Sequence, residues 1–145
     1  MIQRGDLTMG RVAVEVDLTN FGDLVRASDG TIPPEKVRRV RISGVVDTGA
    51  SYLVIPKKVA TELGVPVAGK AGVRYADRRK ATRSVVEGVQ VDLLGRHGTF
   101  KAIVEPNRDD VLIGAIVLED LDLLVDCRTQ TLYPRDPLQI IAEIE

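Results

Sequence analysis

The chain has 145 residues, a length that suits one domain, and its formal net charge of -1 gives it no overall attraction to nucleic acid or to a membrane surface. Hydrophobic residues make up 44% of the chain and charged residues 28%, as in ordinary globular proteins, but aromatic residues reach only 3%. The core must therefore be aliphatic, and valine-rich cores favour strands.

The first elements are a strand, a polar excursion and a second strand. Every second residue of Arg11 to Leu18 is aliphatic, the alternation of a half-buried strand. The polar stretch Thr19 to Glu35 follows, with a short helical turn expected at Phe21 to Val25. Val37 to Val46 is predicted as the second strand, and it runs directly into Asp47.

A short helix and a strand-rich region come next. Tyr52 to Ile55 is a short β-prone run. Lys57 to Leu63 is predicted as a helix, because Pro56 suits a first helical position and Gly64 suits the position just past the end. From Val65 to Val104 the pattern is one of strands and turns.

Two turns are predicted within that region. Gly95 to Gly98 predicts a hairpin turn after which Thr99 to Val104 pairs back, and it makes His97 a surface turn residue. The charged segment Asp77 to Lys80 lies between two β-prone stretches and predicts a projecting hairpin tip.

The last predicted elements are short. Val111 to Ile113 is an apolar strand stopped by Gly114, and Ala115 to Leu121 follows as a helix. Leu123 to Val125 and Thr131 to Tyr133 are predicted as two strands around a turn. The sequence thus predicts one mostly-β domain over residues 1–145, with its core at about 12–134 and one or two short helices.

The segment with the strongest chemical signal is Asp47-Thr48-Gly49-Ala50-Ser51. An Asp-Thr-Gly triplet alone is weak, because composition gives one in roughly one chain of this size in fifteen. Its context is more specific: an apolar strand precedes it and Val54-Ile55-Pro56 opens the next helix. Roughly 60 residues later Leu112-Ile113-Gly114 repeats the pattern of an apolar strand that runs into glycine and then a short helix.

With these two motifs, the chain from about Val12 to Pro134 resembles the retropepsin-like aspartic proteases, the retroviral proteases and their soluble bacterial relatives. The resemblance implies a closed, barrel-like acid protease fold in which Asp47 is the catalytic acid. Thr48 would bond across to the partner's loop, and Gly49 would let the backbone approach substrate.

The resemblance also assigns roles to two other segments. The apolar-apolar-Gly strand would pass beneath the catalytic loop and support it through Leu112, Ile113 and Gly114. A flap that closes over a bound peptide would have its tip at Tyr75, Ala76, Asp77, Arg78, Arg79 and Lys80. Retroviral flaps carry glycines at the tip, whereas this segment has none between Gly72 and Gly88.

One carboxylate per chain predicts a homodimer. The paired carboxylates of aspartic proteases are the established example of two acids that share one proton because like charges about 3 Å apart cannot both ionise. The only Asp-Thr/Ser-Gly triplet here is the one at Asp47. A working site therefore needs two copies of Asp47 on a two-fold axis, a peptide or protein substrate and an activated water, with no metal or organic cofactor.

Ala50 bears on the pH dependence of such a site. The bilobed aspartic proteases typically have Ser or Thr at this position, whose hydroxyl favours the ionised carboxylate. Alanine removes that hydrogen bond, so we expect activity to peak at weakly acidic pH rather than far into the acid range.

Several alternatives stay open on sequence alone. Asp47 could be a structural turn residue, or the fold could serve as a catalytically silent peptide-binding or dimerisation module. The basic run around Asp77 could favour acidic substrates or contact nucleic acid, but a solvated hairpin with edge-protecting charges is the simpler interpretation, so no nucleic-acid partner is expected. The residues Val54, Tyr75 and Ile103 are candidates to shape substrate pockets.

The remaining signals concern the termini and the single cysteine. Cys127 is the single cysteine of the sequence, so an intrachain disulfide is excluded, and we interpret this residue as an incidental thiol. The N-terminus lacks the apolar core of a signal peptide, and no apolar run approaches the roughly 20 residues that span a bilayer. We therefore expect a soluble, cytoplasmic protein without a membrane partner. Pro137 to Glu145 carries four aliphatic residues and predicts either dimer interface, as in the interleaved termini of retroviral relatives, or a packed amphipathic helix.

Overall fold

The computed structural model describes residues 11–145, which contain nine strands, three α-helices and one short 3-10 helix. The strands are β1 (Arg11–Asn20), β2 (Arg39–Asp47), β3 (Leu53–Pro56), β4 (Val67–Arg74), β5 (Lys80–Leu93), β6 (Arg96–Glu105), β7 (Val111–Ile113), β8 (Leu123–Asp126) and β9 (Thr131–Pro134). The helices are α1 (Phe21–Ser28), α2 (Lys57–Leu63) and α3 (Ala115–Leu121), and the 3-10 helix is Pro34–Lys36.

Six strands close into a barrel. Around the ring the order is β1, β2, β7, β3, β6 and β5, and β5 pairs back with β1. Strand β4 lies outside this ring and pairs only with β5, whereas β8 and β9 form a separate two-stranded sheet. The predicted mostly-β, closed barrel-like fold is confirmed.

Strand β1 shows how the sequence pattern builds the barrel core. Its alternate residues Val12, Val14, Val16 and Leu18 are all at most 1% exposed, because each points to the same side of the pleated strand. Strands β2 and β5 pair with β1 along its two edges. The other fully buried large side chains come from the ring strands and from α2 and α3: Val46, Leu53, Ile55, Val59, Leu63, Val89, Ile113 and Leu121.

Strand β5 belongs to both the barrel and a hairpin that projects from it. Its residues from Val89 onward pair with β1 and β6, and its first half pairs with β4. Between the two halves the register with β6 shifts at Gly88, which has a φ of +76°. A bulge with glycine in the left-handed region bends a strand. Because Val85 and Val86 pair with both β4 and β6, the bulge bends β5 within the barrel wall, next to the part of β5 that pairs with β4.

Two local predictions need correction. The segment predicted as a short helical turn is the full helix α1, because the Asn20 side chain accepts a hydrogen bond from the backbone of Asp23 and caps it. The hairpin turn before β6 is Leu94–Gly95, and Arg96 already pairs with Leu93. Such a two-residue turn needs positive φ at both positions, which leucine rarely adopts.

The different turn position also changes the assignment of His97. It is an exposed residue within β6, opposite Asp92, and not a turn residue as predicted. Pro56 ends β3 and precedes the first residue of α2, one position earlier than expected. Residues 137–145 have no regular secondary structure and are exposed, so the alternative of a packed amphipathic helix is wrong.

Within residues 11–145, no helix is long and apolar enough to cross a membrane.

A buried ion-pair network joins helix α1 to the start of β2. The Asp23 side chain is 1% exposed. Its carboxylate accepts hydrogen bonds from the backbone and guanidinium of Arg38 at 2.8 to 3.0 Å and from Arg26 at 2.6 Å. Hydrogen bonding by Arg38, opposed by burial, holds the pKa of Asp23 well below its usual range. The ionised carboxylate therefore stabilises the folded chain.

Replacing Asp23 with Asn is expected to lower the free energy of unfolding at pH 7 by about 2 kcal/mol, because Arg38 loses its buried partner. The pKa of Asp23 is lower in the folded than in the unfolded chain, so its contribution is complete above about pH 4 and is lost as the pH falls further. Urea unfolding of both proteins at pH 7 and pH 3 measures this. Asp17→Asn is the matched control, since Asp17 pairs with Arg41 at the surface and should contribute less than about 0.5 kcal/mol. An equal Asp23→Asn effect at both pH values would contradict the argument.

Candidate active site

Asp47 is the last residue of β2 and begins a tight loop. Its Oδ1 accepts a 2.9 Å hydrogen bond from the backbone N–H of Gly49, and its carbonyl oxygen accepts one of 3.1 Å from Ala50. A Cβ on Gly49 would lie 3.3 Å from that Oδ1 atom, so glycine keeps the space beside the carboxylate open. The Asp47 side chain remains 21% exposed. The loop thus presents an accessible carboxylate in a fixed orientation.

The loop rests on the end of β7. This strand runs parallel to β2 on one side and antiparallel to β3 on the other, so Leu112 lies between Val45 and Val54. A Cβ on Gly114 would come within 2.7 Å of the backbone of Ser51 and Tyr52. The close approach needs a residue without a side chain.

The first turn of α3 holds the same loop by hydrogen bonds. The backbone N–H of Ala115 donates to the carbonyl oxygen of Ala50 at 2.9 Å, and that of Ile116 donates to Ser51 at 3.0 Å. Helix amides that have no partner within the helix are thereby satisfied by the loop. The structure thus brings together the two motifs that the sequence singled out, although their catalytic roles remain predictions.

Gly114→Ala is expected to lower the free energy of unfolding by about 2 kcal/mol, because the added methyl group meets backbone atoms that can only move with the loop. Urea unfolding measures this. Gly72→Ala is the matched control: a Cβ there has no neighbour within 4 Å, so stability should change by less than about 0.5 kcal/mol. Equal stability of the Gly114→Ala and Gly72→Ala variants would show that the approach is not tight.

Arg11 is a neighbour of Asp47 that sequence reasoning missed. The two residues face each other in the β1–β2 register, and Arg11 Nε lies 3.6 Å from Asp47 Oδ2. Because Arg11 is more than half exposed, its guanidinium is free to move away from the carboxylate. Only the pairing of two strands brings the residues together, and a lone Arg at a strand start gives no sign of it.

The predicted flap tip is the turn of the β4–β5 hairpin. Arg78 has a φ of +72°, the left-handed conformation for which glycine is usually chosen. The Asp77 carboxylate accepts hydrogen bonds from the backbone and side chain of Arg79 at 3.0 and 2.8 Å, which stabilises the turn. Lys80 already belongs to β5 and is not part of the turn itself. The tip is therefore ordered by side-chain contacts instead of glycine.

Tyr75 links the turn end of this hairpin to β6 of the barrel. Its hydroxyl donates a 2.5 Å hydrogen bond to Glu105 at the end of β6 and accepts one of 3.1 Å from Arg83. Arg83 also pairs with Glu105 at 3.1 Å, and Arg79 lies 4.7 Å from the centre of the Tyr75 ring. The hydrogen bond to Glu105, together with burial, raises the pKa of Tyr75. Tyr75 thus has a structural role that its position in the sequence did not indicate.

Tyr75→Phe is expected to loosen the hairpin, because the hydroxyl bridges Arg83 and Glu105. A loss of about 1 kcal/mol in local stability corresponds to about fivefold faster amide hydrogen exchange in the hairpin. Hydrogen exchange followed by mass spectrometry measures this. Tyr52→Phe is the control, since the half-exposed Tyr52 hydroxyl bonds to no described residue. Unchanged hairpin exchange in Tyr75→Phe would mean that the Arg83–Glu105 ion pair alone holds the hairpin to β6.

A cleft of about 570 Å³ opens between the loop after Asp47 and the hairpin. Of the predicted substrate-pocket residues, Ile103 lines this cleft, Tyr75 lies in the anchoring network, and Val54 pairs with Ile103 from β3. The full lining is Gly49, Ala50, Ser51, Tyr52, Ala71, Gly72, Val73, Arg74, Val85, Lys101, Ala102 and Ile103. Small and aliphatic residues make up most of the lining.

The part of the chain that the structure describes holds no group of three or more His, Cys, Asp or Glu side chains that could bind a metal ion. The mechanism expected from the sequence needs only carboxylates and water, and the absence of a cofactor stays a prediction. Cys127 is exposed.

The family described as gag-polyprotein putative aspartyl protease matches residues 35–120, which include Asp47, the hairpin and Gly114. The chain belongs to this family. The match spans more than half of the 145 residues and confirms the identification of a retropepsin-like aspartic protease. The bacterial origin that the sequence suggested stays a prediction.

Solved viral proteases are among the similar structures. The EIAV protease complexed with the inhibitor HBY-793 is 19% identical over 56% of this chain and 77% of its own, with a TM-score of 0.48. The Simian Foamy Virus (mac) protease is 13% identical over 54% of this chain and 80% of its own, with a TM-score of 0.43. A foamy viral protease-reverse transcriptase solved with an RNA/DNA hybrid is 24% identical, with a TM-score of 0.45 over 54% of this chain. This chain covers only 10% of that polypeptide. No curated protein sequence matches the chain.

Proposed function

We propose that this chain is one half of a homodimeric aspartic endopeptidase in which the Asp47 carboxylates of two copies form the catalytic dyad. The observation that carries the proposal is the accessible Asp47 carboxylate, fixed on a loop that lines a peptide-sized cleft, in a chain of an aspartyl protease family. The cytoplasmic location expected from the sequence is part of this proposal.

The need for a second copy rests on the count of acids and on two exposed features. The sequence holds one Asp-Thr/Ser-Gly triplet, so a dyad requires two chains. The Thr48 side chain is exposed, and its hydroxyl bonds to no described residue, which leaves it free to meet a partner's loop. The C-terminal segment exposes Leu138, Ile141 and Ile144, and apolar side chains in an exposed segment favour burial against another chain.

The proposed reaction is hydrolysis of a peptide bond by water held between the two Asp47 carboxylates. One carboxylate is ionised and takes a proton from the water as its oxygen attacks the carbonyl carbon. The other is protonated and donates to the carbonyl oxygen, which gives a neutral tetrahedral intermediate. Breakdown of the C–N bond returns that hydroxyl proton to the dyad, and the amine leaves with the proton taken from water. Proton sharing within the dyad belongs to the pair and not to either residue.

The alternative is a catalytically silent peptide-binding or dimerisation module on the same fold. It would use the same cleft and the same second copy, so fold and oligomeric state cannot separate it from the protease. Turnover separates the two, because only the protease needs an ionisable group at position 47.

Asp47→Asn is expected to abolish cleavage of a diverse peptide library, with a loss of at least about a thousandfold, because an amide can neither accept nor share the proton. The wild-type protein should cut best at about pH 5 to 7, and its rate should rise more than linearly with protein concentration across the dimerisation range. Mass spectrometry of the products measures the cuts, and sedimentation measures the dimer.

Asp109→Asn is the matched control, because the exposed Asp109 makes no ion pair with a described residue and the change in charge is the same. Its activity should equal that of the wild type. A dimeric wild-type protein without Asp47-dependent cuts would favour the silent module. Cleavage by a protein that stays monomeric would refute the shared dyad.

A further inference from the structure

The β4–β5 hairpin is basic, whereas the rest of the chain is acidic. Residues 67–86 include six basic residues and one acidic residue, a net charge of +5. The rest of the chain holds 14 basic and 20 acidic residues, a net charge of -6. The wall that covers the cleft is therefore the basic part of an otherwise acidic protein.

Two of these six cations form ion pairs with described residues and four do not. Arg79 bonds to Asp77 and Arg83 bonds to Glu105, and both lie against the Tyr75 ring. The other four basic residues form no ion pair with any residue between 11 and 145: Lys70, Arg74, Arg78 and Lys80. Their charge is available to a ligand.

Arg74 and Lys80 are placed where a substrate would pass. Arg74 lines the cleft beside the Asp47 loop and also a groove of about 580 Å³ along the hairpin, which Lys80 lines as well. The two cations face each other directly across the β4–β5 pair. Like charges at directly opposed positions destabilise a sheet, so this arrangement lowers hairpin stability unless an anion lies between them.

The opposite wall of the cleft is also positively charged. Its only charged residue in the described part of the chain is Lys101 on β6. The Lys101 ammonium lies 3.9 Å from the Glu87 carboxylate, and both side chains are exposed. Among residues 11–145, no acidic residue lines the cleft. Apart from Tyr52, the remaining lining is small or aliphatic, so the cleft offers positive charge at its edges and mostly apolar surface between them.

We propose that Arg74 and Lys80, with Lys101 across the cleft, select peptide substrates that carry acidic side chains near the scissile bond. This inference rests on the proposed function for its site and adds the substrate class. A peptide fits better than a nucleic acid, because a bound single strand stacks successive bases on several aromatic rings and the described lining of the cleft holds one, the half-exposed Tyr52. The hairpin's only aromatic ring, Tyr75, lies against Arg79 and Arg83, and its hydroxyl is occupied by Glu105 and Arg83.

The test compares peptides that differ only in charge. A cleaved library peptide is remade with Glu, Gln or Lys at the positions that flank the cut, and kcat/KM is measured for each. The Glu peptide should exceed the Gln peptide by about tenfold at low salt, and the ratio should shrink as salt is added. In Arg74→Gln/Lys80→Gln the ratio should fall towards one. In Arg74→Glu/Lys80→Glu the Lys peptide should become the best substrate.

Lys36→Gln/Lys58→Gln is the matched control. Both residues are exposed, line neither the cleft nor the hairpin groove, and make no ion pair with a described residue, so the same charge is removed elsewhere. It should keep the wild-type ratio of Glu to Gln cleavage. Urea unfolding shows whether each variant folds, and neutralising the opposed cations should not lower stability.

The outcomes separate this inference from the proposed function. Asp47-dependent cleavage with equal rates for the Glu and Gln peptides would overturn the acidic preference and leave the protease standing. If nothing is cleaved, fluorescence anisotropy with labelled Glu and Gln peptides and Asp47→Asn protein tests the preference alone, and equal binding overturns it. Binding of a labelled 12-nucleotide single strand that depends on Arg74 and Lys80, without any peptide preference, would assign the surface to nucleic acid instead.

Discussion

The close contact between Gly114 and the loop that follows Asp47 is the constraint on which the site depends. Three strands meet there, because β7 lies between β2, which ends in Asp47, and β3, which begins after the loop. Backbone packs on backbone at Ser51 and Tyr52, and the first amides of α3 bond to the loop carbonyl groups. A carboxylate held this way keeps its orientation without help from bulky side chains, which leaves the cleft open for a ligand.

Much of this arrangement could be predicted from the sequence, because it depends on local patterns. Strand β7 and helices α2 and α3 have the predicted bounds, since each combines an apolar run with a glycine or proline signal at its end. The left-handed conformation of Leu94 was missed because leucine gives no turn signal. The Asp47–Arg11 and Tyr75–Glu105 contacts were missed for another reason: they join strands distant in sequence, and strand register is set by the whole barrel.

Side-chain contacts stabilise the turn of the hairpin, at the position where retroviral flaps carry glycines. Asp77 and Arg79 hold the turn in which Arg78 adopts positive φ, and Tyr75 links this end of the hairpin to Glu105 on β6. Each of these contacts adds local stability, and a stable hairpin opens less often. The bulge at Gly88 lies within the β5–β6 pairing, so it bends β5 inside the barrel wall, close to where the hairpin begins.

The barrel and the hairpin also differ in charge. The barrel and its surroundings are acidic, and two acids of a dimeric site would add to that field, which repels acidic peptides at a distance. A basic hairpin over the cleft reverses the field locally, where a Debye length of about 10 Å at moderate salt still allows exposed cations to act. The hairpin beside the cleft carries four cations that form no ion pair with residues 11–145, so an otherwise acidic surface has a basic region that can attract acidic chains. A substrate-free hairpin with opposed Arg74 and Lys80 is less stable than one with an anion between them, so binding and ordering of the hairpin favour each other.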